Sequence, residues 1–294
     1  MIPTPQKLIL GAMKNLKKLI LQIICPDKSG LIAAFTQGIA QSGANILDLT
    51  QHTAKDIGMF FMRAFVECES GAVDKIKTHF SKMEDELSLQ WQLYDAEHKT
   101  KIALFVSTTS HCLYELLLSH KDGALPCEFT CVISNHTVLE PVARAFNLPF
   151  FLVPGDIPKT EQNKKFNEIL NASQTEGIVL ARYMQILSEE FTNAWQYRII
   201  NIHHGFLPAF KGAKPYHQAW TKGVKIIGAT AHFATADLDQ GPIIWQSVQQ
   251  VADTGSIEQF IQIGKEVEKR TLLNALKLYL EHRVFLHNER TFIL

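Results

Sequence analysis

The sequence has no excess of charge of one sign and no long apolar run. Its 29 lysine and arginine residues balance 29 aspartate and glutamate residues, so no net field draws the chain to nucleic acid or to an anionic membrane surface. No segment approaches the roughly 18 consecutive apolar residues that a membrane span needs. The apolar segment at residues 8–13 lacks the small-residue cleavage pattern of a secretory signal. These absences predict a cytoplasmic protein that acts on a small molecule, without a nucleic-acid or membrane partner.

Cysteine is also scarce. The five cysteines are odd in number, and most lie inside apolar runs, where free thiols behave as small hydrophobic side chains. Cys127 and Cys131 are close in sequence, but no second Cys or His pair at zinc-finger spacing accompanies them. We therefore expect free thiols in a reducing compartment and no metal site.

With 294 residues, 46% of them hydrophobic, the chain is long enough for about two domains. In the first part, apolar runs of strand character alternate with apolar stripes at helical spacing, and Gly43 stands where a helix would end. This order predicts the β-α-β-β-α-β arrangement of a ferredoxin-like fold. Asp27 is predicted to cap the first helix. The polar residues 95–100 indicate a linker, so we place the first domain at residues 1–95, with residues 1–16 as a tail.

The second domain, placed at residues 96–294, contains nearly continuous apolar runs separated by helix-length segments. Continuous apolar runs indicate strands that are buried on both faces. We therefore predict an α/β domain with an open, mostly parallel, Rossmann-like sheet and helices on both faces, which binds its ligand at the C-terminal ends of the strands. After Ile226 the pattern turns β-rich, and a last helix is predicted at residues 257–280. The predicted strands of the parallel sheet cover residues 102–106, 129–133, 150–153, 178–181 and 199–202.

The densest polar cluster, NIHH at residues 201–204, directly follows an apolar strand. Side chains in a strand alternate between faces, so Asn201 and His203 project together. Further along the chain, Asp237 and Asp239 lie in a turn-forming segment. A carboxylate beside an imidazole can hold its tautomer or position a water molecule. Capping by Asn and His and solvated turn carboxylates are the structural alternatives, and these residues by themselves leave both interpretations open.

Four segments of the second domain form a more specific pattern. They are ARYMQILS at residues 181–188, IINIHHGFLPAFKGAKPYHQAW at 199–220, LDQGPII at 238–244 and RVFLHNERTFIL at 283–294. This pattern resembles the formyltransferase-hydrolase family that uses 10-formyltetrahydrofolate. The double His, the GAKPYHQA stretch and the C-terminal segment are closer to the deformylase branch of that family than to its glycinamide ribonucleotide and methionyl-tRNA formyltransferases.

Two segments of the first domain, CPDKSGLIAAF at residues 25–35 and GANILDLTQH at 43–52, resemble an ACT domain, a ferredoxin-like module that often senses amino acids. An ACT domain ahead of a formyl hydrolase domain is the deformylase layout, whereas the transferase relatives lack that module. The resemblance implies a homo-oligomer and an amino-acid effector such as glycine or methionine. The alternative is that Asp27 caps a helix and the domain only mediates oligomerisation. The implied effector-binding residues are Asp27, Lys28, Ser29, Gly30, Asn45 and Ile46.

The resemblance implies an enzyme that hydrolyses 10-formyltetrahydrofolate to formate and tetrahydrofolate, which supplies formate and balances the one-carbon folate pool in purine biosynthesis. It assigns catalysis to Asn201, His203 and Asp239. The Asn amide and a His N–H would stabilise the oxyanion, while Asp239 would order the water and tune His203, which relays a proton to N10. It implies no metal and no separate cofactor, because the folate is the substrate. The implied substrate-binding residues are Met184, Ile186, Leu187, Thr235 and Asp237.

One position departs from this pattern, because Gly205 stands where such deformylases usually have Ser after NIHH. The loop at residues 107–111 also lacks the glycine-rich phosphate cradle expected of the ribonucleotide transferase, which favours water as the acceptor. The alternatives are formyl transfer to an amine, as in glycinamide ribonucleotide transformylase, and a non-catalytic folate-binding regulator. The roles of His204, His217 and His232 stay open, and His232 is the first reserve for the site.

Overall fold

Two compact units divide the chain, the first ending at His98 and the second running from Lys99 to Ile293. The predicted tail lies outside the described residues except for Leu16, which begins the first strand instead. Among the described helices, none combines the length and the hydropathy that crossing a bilayer requires. The computed structural model describes residues 16–208, 215–251 and 256–294.

The first unit is a four-stranded sheet with two helices. Its elements are β1 (Leu16–Pro26), α1 (Leu31–Gln41), β2 (Ala44–Ala54), β3 (Met59–Glu69), α2 (Ser70–Leu87) and β4 (Gln90–Asp95). The strands lie in the order β2-β3-β1-β4, and each neighbouring pair is antiparallel. The predicted β-α-β-β-α-β order and the ferredoxin-like fold are therefore confirmed.

Alternating residues of β3 point into the core of the first unit, where the two helices pack on them. Phe60, Met62 and Ala64 are buried beneath the helices. The ring of Phe35 from α1 lies 6.1 Å from the ring of Phe60 and 6.0 Å from that of Phe80 in α2. Each large apolar side chain buried in this way contributes about 1.5–3 kcal/mol. The period-two pattern of β3 thus fixes the face that the helices cover.

The predicted cap of α1 is wrong. The helix begins after Gly30, which has a left-handed φ of 89° and makes no side-chain cap. Asp27 lies in the turn before it, and its backbone N–H donates to the carbonyl of Gly58 at 2.8 Å. Asp27 is too far from the first helical turn to cap it, because a capping side chain must reach N–H groups two or three residues ahead. Gly43, with a φ of 86° just past the end of α1, matches the predicted stop.

The second unit carries the remaining elements. They are β5 (Thr100–Val106), α3 (His111–Lys121), β6 (Cys127–Ser134), α4 (Glu140–Ala145), β7 (Phe150–Leu152), α5 (Lys159–Ala172), β8 (Gly177–Leu180), α6 (Glu189–Ala194), β9 (Ile199–His203), α7 (Pro215–Thr221), β10 (Ile226–Phe233), β11 (Ile243–Gln250), α8 (Ile257–Leu280), β12 (Val284–His287) and β13 (Arg290–Ile293). Every predicted strand of the parallel sheet and the predicted last helix are present.

Seven of these strands form one sheet in the order β11-β10-β9-β8-β5-β6-β7. The five strands from β9 to β7 are parallel, while β10 and β11 run antiparallel at one side, so the sheet is mostly parallel, as predicted. Strands β12 and β13 form a separate hairpin. Along β5, Leu104 faces a core that includes Leu272 of α8, and Phe105 faces another that includes Phe166 of α5. Burial on both faces explains why the strand sequences are continuous apolar runs.

The fold brings strand ends together at one edge of this sheet. Strands β5, β8 and β9 are parallel, so their C-terminal ends meet there. Strand β10 returns antiparallel beside β9 and sets His232 opposite Asn201 and Thr230 opposite His203. A residue more than 25 positions away in sequence thus becomes the direct neighbour of the polar cluster at the end of β9.

Candidate active site

The end of β9 presents an amide that is held by an imidazole. The Asn201 Nδ2 atom lies 3.2 Å from Nε2 of His232, which is buried. The other ring nitrogen of His232, Nδ1, lies 2.9 Å from the carbonyl oxygen of Phe233. A carbonyl only accepts, so Nδ1 carries the proton and Nε2 accepts from the Asn201 amide. This bonding fixes the orientation of the amide and directs its second N–H away from His232.

His203 is paired with a carboxylate from another loop. Its Nδ1 lies 3.1 Å from Oδ2 of Asp239, whose Oδ1 lies 3.6 Å from Nε2 of His232. The His203 side chain is 5% exposed, and its Nε2 has no hydrogen-bond partner among the residues that the structure describes. A carboxylate accepts, so Nδ1 donates to Asp239 and Nε2 is the nitrogen left for chemistry.

Asp239 is charged in this setting. Burial raises its pKa, but the hydrogen bond from His203 outweighs burial and brings the pKa well below its usual range. The residue adopts a left-handed φ of 56°, a conformation that Asp tolerates better than most residues. A negative charge beside Nδ1 of His203 can hold the tautomer of that ring and stabilise a positive charge that develops on it.

The loop that carries Asp239 depends on a glycine. A Cβ atom on Gly241 would lie 1.8 Å from the backbone oxygen of Phe233, and the N–H of Phe233 donates to the carbonyl of Pro242 at 2.9 Å. The loop can approach β10 this closely only where no side chain intervenes. The G-P dipeptide that indicates a turn in the sequence therefore also sets the position of the carboxylate.

A cleft opens beside three of these four residues, and His203 is not among the described residues that line it. Asn201, His232 and Asp239 form its polar end, and mostly apolar residues of the segments 185–187 and 234–238 form its walls. Such a cleft, apolar with a few convergent polar groups, is the usual form of a small-molecule site.

The predicted substrate-binding residues are only partly gathered in this cleft. Ile186, Leu187 and Thr235 line it, whereas Met184 lines a separate cavity. The Asp237 side chain is exposed and is not among the lining residues. Its carbonyl instead accepts a hydrogen bond from the Thr235 hydroxyl at 3.1 Å. Asp237 thus contributes to the shape of the loop through its backbone.

Sequence reasoning missed a serine that anchors one wall of the cleft. The buried Ser107 hydroxyl donates to Oδ1 of Asn135 at 2.6 Å and accepts from the backbone N–H of Met184 at 2.9 Å. Ser107 follows the last residue of β5, so the rule that ligands bind at strand ends pointed to it. Its partners come from two other strand ends and could not be read from the sequence.

His204 faces another cavity, as the alternation along β9 predicts. Its ring lies 5.5 Å from that of His203 and 5.9 Å from that of Tyr216 in α7. Burial, with the nearby positive charge of Arg182, lowers the pKa of His204 to about 4, so the ring is neutral at pH 7. His217 lines the same cavity. Beside it, the carbonyl of Gly205 accepts a hydrogen bond from Thr230 at 3.0 Å.

The predicted effector residues do not meet within one chain. Residues 27–30 are exposed and follow the end of β1 that pairs with Met59 of β3. Asn45 pairs with Glu67, near the opposite end of β3. Most of the length of that strand separates the two groups, because each strand residue advances about 3.3 Å. A site that uses both groups requires a second copy of the domain.

Comparison with known proteins places this geometry in a family. A model of formyl transferase matches residues 100–276, and a model of the ACT domain matches residues 19–78. The chain is 39% identical over 279 residues to the formyltetrahydrofolate deformylase of Bacillus subtilis. The aligned region covers 93% of this chain and 92% of that relative.

Solved structures agree with these matches. The crystal structure of a formyltetrahydrofolate deformylase from Pseudomonas syringae pv. tomato is similar with a TM-score of 0.90 at 36% identity and covers 96% of each chain. The glycinamide ribonucleotide transformylase 1 of Symbiobacterium toebii is similar with a TM-score of 0.64 at 29% identity, over 67% of this chain and 95% of that one.

The charge of Asp239 predicts a pH dependence of stability. Its pKa is lower in the folded chain than in the unfolded chain, so the ionised carboxylate stabilises the fold above about pH 4. This contribution is lost as the pH falls through the folded-state pKa. In urea unfolding, we expect Asp239→Asn to be less stable than the wild type at pH 7 and to lose less free energy of unfolding between pH 5 and pH 2. Asp237→Asn, an exposed control in the same loop, should follow the wild type, and an Asp239→Asn curve parallel to wild type would contradict the assignment.

Proposed function

The chain belongs to the formyltetrahydrofolate deformylase family, and we propose that it hydrolyses 10-formyltetrahydrofolate to formate and tetrahydrofolate through Asn201, His203 and Asp239. The observation that carries this proposal is the buried Nε2 of His203, which has no partner among the described residues while Nδ1 is bound to Asp239. An imidazole fixed in this way has one nitrogen with which to take up and return a proton. The apolar cleft that Asn201 and Asp239 line suits a flat heteroaromatic substrate.

The first step is the attack of water on the formyl carbon. The oxygen of water forms a bond to this carbon, and a proton passes to Nε2 of His203. The formyl oxygen becomes an oxyanion and accepts a hydrogen bond from the second N–H of the Asn201 amide. His232 holds this amide in place. One such donor is worth about 3 to 4 kcal/mol in well-studied acyl-transfer sites. The Asp239 Oδ1 atom, which His203 leaves unused, is suited to orienting the water.

The second step is the departure of the amine. The bond between the formyl carbon and N10 breaks, and His203 returns its proton to N10, so formate and tetrahydrofolate are released. Asp239 stabilises the imidazolium between the two steps, because its carboxylate stays ionised beside Nδ1. Acid-base catalysis of this kind typically gives about 10² to 10⁴ in rate.

The main rival reaction is formyl transfer to an amine. The deformylase comparison covers 96% of this chain, whereas the transformylase comparison covers 67%. The loop after β5, residues 107–111, contains no glycine with which to cradle an acceptor phosphate. Water is therefore the better supported acceptor.

The wider setting follows from the same reaction. The formate that is released would supply purine biosynthesis, and the reaction would balance the one-carbon folate pool. All five cysteines are free and buried, which supports a reducing, cytoplasmic compartment. The ACT domain supports an oligomer of identical chains with an amino-acid effector between two copies, near residues 27–30 of one and Asn45 and Ile46 of the other.

Loss of the proposed oxyanion donor, Asn201, or of the proposed general base, His203, should reduce catalysis more than substrate binding. We expect Asn201→Ala and His203→Ala each to lower kcat by about two orders of magnitude or more, with a modest change in KM. The assay is formate release from 10-formyltetrahydrofolate with no amine added. Normal kcat in either variant would refute the assignment, and turnover that requires an added amine would identify a transferase.

The structure also predicts a positioning role for His232. In His232→Ala the Asn201 amide loses the acceptor that fixes it, so we expect kcat to fall about tenfold or more while KM for the folate stays near that of the wild type. His52→Ala, an exposed histidine of the first unit, serves as the control and should leave kcat unchanged. A parallel loss of thermal stability with normal kcat would mean that His232 is only structural.

Effector binding can be tested directly. Calorimetric titration with glycine and methionine, above and below the protein concentration at which the chain self-associates, should show binding only to the associated form. The rate of formate release should change on binding. If neither amino acid binds or alters the rate, the sensing role fails and oligomerisation remains the function of the ACT domain.

A further inference from the structure

A second cavity lies on the other side of the His203–His204 pair, with a volume of about 320 Å³. His204 and Tyr216 border it on one side, and Glu268 and Lys265 of α8 on another. None of its lining residues belongs to the substrate cleft described above. The reaction as proposed gives the cavity no role, although a single ring separates it from His203.

Among the described residues that line this cavity, the one carboxylate already has its partners. Glu268 is fully buried. Its Oε2 lies 2.8 Å from Nε2 of His111, and its Oε1 accepts a hydrogen bond from the Tyr216 hydroxyl. Burial raises its pKa, but these hydrogen bonds and the charge of Arg182 lower the pKa below its usual value. The carboxylate is thus ionised and its acceptor positions are largely occupied.

The guanidinium that faces Glu268 is not satisfied in the same way. The Arg182 side chain is 13% exposed, and its Nε lies 3.4 Å from Oε2 of Glu268 without hydrogen-bond geometry. Within the described part of the chain, Nε and Nη1 of Arg182 have no hydrogen-bond partner, and neither does the buried hydroxyl of Thr109. Leaving a buried charged donor unpaired is costly. An oxygen-bearing ligand in the cavity would remove this cost.

The charges that line the cavity determine which ligand fits. Arg182 and Lys265 are positive and Glu268 is negative, so the described lining residues have an excess of one positive charge when their histidines are neutral. His204 is neutral at pH 7. A cationic amine would meet an arginine, a lysine and a carboxylate that is already bound, whereas an anion would meet unpaired N–H groups.

Resting on the proposed function, which produces formate beside His203, we propose that this cavity binds a small carboxylate, the product formate, through Arg182 and Thr109. The guanidinium forms a charge-assisted hydrogen bond with one formate oxygen, and the threonine hydroxyl donates to the same anion. The His204 ring separates this site from the reacting carbon. The product thus has a site of opposite charge to move to after the C–N bond breaks.

The test is calorimetric titration of the full-length protein with sodium formate in the absence of folate, at constant ionic strength set by chloride. We expect saturable binding to the wild type and binding at least tenfold weaker to Arg182→Gln. The backbone at this position has a left-handed φ of 66°. Gln and Arg both have unbranched side chains, so the substitution adds no backbone strain. Arg144→Gln is the matched control, because that side chain is 75% exposed and pairs only with Glu140 among the described ion pairs; it should bind formate like the wild type.

A second variant tests the same site independently, in case Arg182→Gln does not fold. Lys265→Gln removes a cavity charge from a partly exposed position of α8 and should weaken formate binding by a smaller factor. In turnover assays, added formate should inhibit the wild type and inhibit Arg182→Gln at least tenfold less strongly. Thermal denaturation of each variant establishes that it is folded.

Several results would overturn the proposal. These are no formate binding to the wild type, equal binding to folded Arg182→Gln, formate binding without inhibition of turnover, or displacement of formate by methylammonium. Failure here is separable from failure of the proposed function. A chain that hydrolyses the folate but does not bind formate refutes only this site, whereas a chain that binds formate but does not hydrolyse the folate refutes only the reaction.

Discussion

The hydrogen bond from Nδ1 of His203 to Asp239, at 3.1 Å, is the interaction on which the proposed chemistry depends. It determines which nitrogen of the imidazole carries the proton, and it leaves Nε2 buried without a partner among the described residues. The carboxylate is charged because the hydrogen bond from His203 outweighs the cost of its burial. Without this bond, the ring could adopt either tautomer, and a proton relay would lose its direction.

The rest of the second unit holds this bond in place. The parallel sheet delivers His203 at the end of β9, and the antiparallel return of β10 sets His232 beside Asn201. The loop that follows β10 brings Asp239 back because Gly241 lets it close against the strand. Asp239 itself sits in a left-handed conformation, which costs free energy and is a common feature of functional sites.

Local patterns predicted much of this arrangement. The continuous apolar runs predicted the parallel strands, and strand alternation correctly set His203 and His204 on different sides. The sequence could not show that His232 is the partner of Asn201, since that depends on the register of β9 against β10. The same limit applies to Arg182 and Glu268, which meet only when α8 packs on the sheet. The predicted Asp27 cap failed because Gly30, in a left-handed turn, starts the helix.

Whether Asp239 fixes the tautomer of His203 can be measured by ¹⁵N NMR of histidine-labelled protein. Signals of His203 can be assigned by their loss in His203→Gln. At a pH where the ring is neutral, we expect a proton on Nδ1 and, for Nε2, the ¹⁵N chemical shift of an unprotonated nitrogen. A neutral ring with its proton on Nε2 would contradict the account, because Nδ1 could then not donate to Asp239 and Nε2 could not accept a proton from water.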